Sequence, residues 1–158
     1  MRKAKTRASS PTQMTRKNGL RPMEGPPISV SSIVVRRGRL VCDVEVPDAR
    51  FRYTNPQIAR HVLDLYPSLS RHACVNAEGR TFGCVVEHTS IAHLLEHLAV
   101  ELQTRAADDP RAVFVGTSEW LDEASGTARV ELSFSDDLEA LRALKEAVEI
   151  IADSLERI

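Results

Sequence analysis

Residues 91–103, IAHLLEHLAVELQ, repeat their apolar side chains at the period of an α-helix. Ile91, Leu94, Leu95, Leu98 and Leu102 fall on one stripe when each residue turns by about 100°. Such a stripe has to be buried against something, so the rest of the chain must supply a core surface for it. Thr89 or Ser90 can cap this helix, and Asp108-Asp109-Pro110 breaks it after about Ala106.

The flanking segments provide that surface. Ile33–Val35 and Leu40–Val46 are β-branched runs around Arg36-Arg37-Gly38-Arg39, which reads as a hairpin. Asn55 caps a helix begun by Pro56 and continued through Leu65, with Ile58, Val62 and Leu65 on its apolar side. Residues 70–88 carry Gly79 and Gly83 and read as loop with short extended pieces. Ala112–Val115 and Thr127–Phe134 read as strands joined across Asp122–Gly126, and Val130, Leu132 and Phe134 share one face of the second. Ser135 or Asp136 caps a last helix to about Leu155, striped by Leu141, Leu144, Val148, Ile151 and Leu155. The order ββ-α-α-ββ-α predicts an α+β fold: a two-layer sandwich of one antiparallel sheet with helices on one face.

Length permits one domain with an adequate core. Of the 21 basic residues in the chain seven lie in 1–23, a stretch with no acidic residue; 14 then remain against 22 acidic ones. Residues 1–27 have no periodicity and are rich in Ser, Pro and Gly, so they read as a disordered basic tail before a single domain over 28–158. The tail lacks the apolar centre of a secretory signal and the apolar face of a transit peptide. An acidic folded part argues against nucleic acid as a partner, and no apolar run approaches the ~18 residues of a membrane span. Cys42, Cys74 and Cys84 are odd in number and form no Cys-x-x-Cys pair, which predicts a reducing, cytoplasmic setting.

The chemistry concentrates on the central helix. His93-Leu94-Leu95-Glu96-His97 reads His-x-x-Glu-His. Four residues apart, His93 and His97 can aim both imidazoles at one point, while Glu96, roughly 60° from His93, can reach a water held there. Two imidazoles and a carboxylate are the ligands and general base of a catalytic zinc site, and this order is the inverted zincin signature. The bland alternative is a solvated helix face. No basic residue occurs on that face before Arg105, which favours the wall of a cleft. A catalytic zinc needs a third protein ligand. Glu101, about 12 Å along the axis from His93, suits a partner of His97 or a plain surface position better. Cys74 and Cys84 precede the helix in loop. The last helix is the expected source, with Asp137, Glu139 and Glu146 as candidates and Glu139 favoured, although Asp136-x-x-Glu139 is also a capping-box pattern.

Residues 66–103 resemble the N-terminal domain of cyanophycin synthetases. The likeness rests on Tyr66-Pro67-Ser68-Leu69, His72-Ala73-Cys74, the Gly79–Gly83 stretch, and Thr89 followed by IAHLLEHLAVELQ. It implies a metallopeptidase-like domain acting on a polypeptide-like polymer of aspartate and arginine, with His93 and His97 as zinc ligands and Glu96 as base. Two departures bear on substrate. Ala92 stands where the family has Gly, and Phe114-Val115-Gly116-Thr117-Ser118 stands where it has an arginine-containing run. S-ribosylhomocysteine lyases share the motif but use a downstream Cys, which is missing here. Pitrilysin-type peptidases take their third ligand farther downstream than this chain runs past His97.

The expected function is therefore a zinc-dependent hydrolase, one zinc per chain, acting on a peptide-like or small amide substrate. The alternative is a non-catalytic accessory or binding domain with a vestigial or structural metal site. Analogy with half-domain zinc peptidases adds a homodimer as an expectation.

Overall fold

A computed structural model describes residues 25–158. Most of the expected basic tail lies outside the described residues; of its last three positions, Pro27 is already buried.

Four strands form one antiparallel sheet in the order β1-β2-β4-β3: β1 Ser29–Arg36, β2 Arg39–Glu45, β3 Gly116–Asp122 and β4 Thr127–Ser133. The β1–β2 hairpin turns at Gly38, whose φ of 70° is the left-handed value that glycine reaches without strain. β2 and β4 are the central pair. Their registers set Leu40 opposite Leu132, Cys42 opposite Val130 and Val44 opposite Ala128, all fully buried. The alternate residues face the other side, where Arg39 pairs with Glu131 and Arg129 with Asp43. One sheet face is thus core and the other a charged, solvated surface.

Three helices cover the apolar face: α1 Pro56–Leu65, α2 Ile91–Ala106 and α3 Asp137–Glu156. Asn55 Oδ1 accepts from the Gln57 and Ile58 amides, Ser90 Oγ from His93 and Asp136 Oδ1 from Glu139, so each helix starts where a side-chain oxygen satisfies its free N–H groups. α2 packs against α3, β3 and β4, and α1 against α3. The predicted α+β order therefore holds.

Three local readings change. Leu65 is half exposed rather than part of the α1 core face. The segment 70–88 contains tight 3-10 turns, Phe82–Cys84 among them and Pro67–Arg71 at its entry, clamped together by an isolated bridge between Ala73 and Thr81. The strand expected at Ala112–Val115 lies farther on, at Gly116–Asp122. A tight hairpin pairs the residues nearest its turn first, and the turn at Glu123–Gly126 therefore recruits the residues before it as the partner of β4. Val113 and Val115 are left exposed.

Candidate metal centre

α2 is buried on nearly every side. Its apolar stripe is covered as expected, and so are Glu96, His97 and Glu101, at 7, 6 and 6% exposure. The polar face of the helix is not a solvated surface. It forms the floor of an open cleft of about 950 Å3 between the 72–75 loop and the segment 112–120.

On that floor His93 Nε2 and His97 Nε2 lie 3.1 Å apart, and Cys74 Sγ lies 3.4 Å from His93 Nε2. The three atoms fall within 4.8 Å of one another and could hold a metal ion. Burial lowers the pKa of both histidines. For His97, with the charges of His93 and His72 adding to burial, the value falls to about 3. Both rings are therefore neutral at neutral pH, the form that ligates a metal.

The outer ring nitrogens are held as well. Thr89 Oγ1 is 2.7 Å from His93 Nδ1, and His72 Nδ1 is 3.3 Å from His97 Nδ1. His72 Nε2 in turn lies 2.8 Å from Glu101 Oε2. A carboxylate can only accept, so His72 donates from Nε2. In the neutral ring that leaves Nδ1 as acceptor for the His97 Nδ1–H, and the lone pair of His97 Nε2 faces Cys74 and His93. Glu101 is fixed by Ser68 Oγ and by Arg105 Nε, the latter at 2.7 Å. Phe82, fully buried, stacks on His97 with centroids 4.1 Å apart and meets His93 edge-on.

Glu96 stands beside this group. Its carboxylate accepts from Ser118 Oγ at 2.8 Å, and burial raises its pKa. β3 runs directly past it. A Cβ on Gly116 would come 2.5 Å from Glu96 Cγ, so only glycine lets the strand approach this closely.

The 72–81 loop delivers Cys74. The Phe82 amide donates to the His72 carbonyl at 2.9 Å and the Cys74 amide to Arg80 at 3.1 Å, which turns both side chains of His72-Ala73-Cys74 towards α2. Of the residues expected at the site, His93 and His97 come together with Cys74, and Glu96 lines the same cleft from the position before His97 on α2. Glu139 is not with them: it sits in the first turn of α3, ion-paired with Arg142, outside the cleft lining. From the sequence Cys74 is only a loop residue before the helix and His72 has no role at the site; the His-x-Cys spacing ahead of Gly79 and Gly83 is the signal that points to both.

The profile of the family described as cyanophycin synthase-like N-terminal domain matches residues 40–156. The chain belongs to that family. The match runs from Leu40 in β2 to the end of α3, with β1 outside it, and includes every residue of the metal-capable group. No curated protein matches the chain. Among the described residues no helix is long and apolar enough to cross a membrane.

Proposed function

We propose that this domain is a zinc-dependent hydrolase that cuts an amide bond in an extended, peptide-like chain. The observation that carries the reading is the convergence of His93 Nε2, His97 Nε2 and Cys74 Sγ at the floor of an open cleft, with the Glu96 carboxylate beside them. The spacing suits zinc. Tetrahedral bonds of about 2.05 Å to nitrogen and about 2.3 Å to sulfur place two nitrogens ~3.3 Å apart and nitrogen and sulfur ~3.6 Å apart. Here His93 Nε2 lies 3.1 Å from His97 Nε2 and 3.4 Å from Cys74 Sγ, and the third pair lies within 4.8 Å. Among the described residues the group offers three ligands and no fourth, which is the pattern of a catalytic rather than a structural centre.

Zinc bound there would supply a Lewis acid and a more acidic water. The protein supplies the rest. Glu96, with a pKa raised by burial, takes the proton of the attacking water and passes it to the leaving amine. Ser118 holds that carboxylate in place. β3 is an edge strand alongside Glu96, so its free main-chain groups can pair with an extended substrate, which favours a peptide-like chain over a small amide.

Elemental analysis of the protein beside His93→Ala tests this. About one zinc per chain in the parent, lost in the variant, is expected. No metal in the parent after dialysis against zinc would overturn the reading and favour a non-catalytic accessory domain.

A further inference from the structure

The sheet has a second edge, far from the metal-capable group in strand order, and it is built differently. β1 pairs only with β2, and among the described residues nothing lies along its outer side. Ile33, Val34 and Val35 are 44, 44 and 49% exposed. From Ser29 to Val35 the strand has no charged residue and no Pro, two of the usual devices that keep an edge from pairing; its bulge lies between Val30 and Ser32, which leaves Ser32–Arg36 regular. Arg36, at its end, is the first charge.

The apolar surface continues beyond the strand. Ile33 pairs with Cys42 and Val35 with Leu40, which turns Ile33 and Val35 to the helix side of the sheet. There an open groove of about 460 Å3 runs between β1 and α3, lined by Ile28, Val30, Ile33, Leu141 and Val148. Its rim on α3 carries one cation and one anion, Lys145 and Glu149, one helical turn apart and paired at 3.4 Å.

We infer that this face is the interface of a homodimer in which β1 pairs antiparallel with β1 of a second copy, continuing the sheet across a two-fold axis. An antiparallel edge is self-complementary under such an axis, which is the isologous arrangement of most dimers. With the axis through Val34, Val35 stands opposite Ile33 of the second copy and Arg36 opposite Ser32, so no like charges meet. The same axis sets the two α3 helices antiparallel over the groove. Lys145 of each copy then faces Glu149 of the other, exchanging the one exposed pair within each helix for two pairs between copies. Charge self-complementarity at the rim and the exposed apolar stretch Ile33–Val35 at the centre, beyond the bulge, together select a second copy as occupant.

Sedimentation equilibrium of the full chain across the micromolar range tests it. A concentration-dependent dimer is expected. Val34→Lys would place two ammonium groups on the axis and should weaken association at least about tenfold, with an unchanged circular dichroism spectrum. Lys145→Glu, at an exposed helix position, should weaken it as well, and Lys145→Glu with Glu149→Lys should restore it to within about threefold of the parent. A monomer at every concentration would overturn the inference, including the case in which hydrogen exchange shows β1 protected by residues 1–24 of its own chain. A dimer indifferent to both Val34→Lys and Lys145→Glu would overturn it too.

Discussion

Glu96 and Glu101 lie five residues apart on one helix and are equally buried, yet their environments drive them in opposite directions. Burial raises the pKa of Glu96, and only the Ser118 hydroxyl pulls it back. Burial is the largest effect on Glu101 too, but hydrogen bonds from Ser68, Arg105 and His72 outweigh it and hold its pKa below the ordinary value. The number of donors aimed at each carboxylate makes the difference. Glu96 is a reluctant anion beside the metal-capable group, suited to picking up a proton. Glu101 is a fixed anion one imidazole farther out, suited to orienting His97.

The comparison breaks most sharply on turnover. Glu96→Gln should lower the hydrolysis rate by about 10²–10⁴-fold while zinc content is unchanged, as elemental analysis beside a peptide-cleavage assay would reveal. Full activity in that variant would remove Glu96 from the chemistry.

Glu101→Ala should act elsewhere. With the anchor of His72 gone, metal affinity should drop about 10–100-fold, measured by competition with a chelator. Stability should also fall by about 1–3 kcal/mol as the donors around it lose their acceptor. An affinity equal to that of the parent would show that the His72–Glu101 link does not orient His97.

The smallest effects lie in pH dependence. His93 and His97 have lowered pKa values in the fold, against 6.5 for a free imidazole. Between about 6.5 and about 3 the folded chain therefore binds fewer protons than the unfolded one, and the metal-free protein should lose stability as pH falls through that window. Glu96 has the opposite sign. Its raised pKa contributes stability below 4.5 that is lost as pH rises through the folded value. The melting temperature of Glu96→Gln relative to the parent should thus climb from acid to neutral pH. Ser118→Ala should shift the acid limb of the parent's pH–rate profile to higher pH, because the hydrogen bond that lowers the Glu96 pKa is gone. An unmoved limb would mean that another group sets it.

Much of the fold was legible because its signals are local. The caps at Asn55, Ser90 and Asp136, the stripes of α2 and α3, and the alternation of Leu40, Cys42, Val44 and Val46 each involve residues within a few positions of one another. β3 was misplaced because Val113–Val115 carries stronger strand propensity than Gly116–Asp122, and propensity yielded to hairpin register. The site divides along the same line. His93, Glu96 and His97 share a helix, so 3.6-residue periodicity sufficed to group them. Cys74 and His72 reach them from a loop folded back by main-chain bonds between residues 72–74 and 80–82, and Glu139, chemically as suitable, pairs with Arg142 on α3 instead. The sequence by itself determined the helix, its motif and the face they share. Which distant side chain completes the group, and whether that face meets water or a cleft, was decided by packing, since a ligand's usefulness depends on angstrom-scale placement that no local pattern encodes.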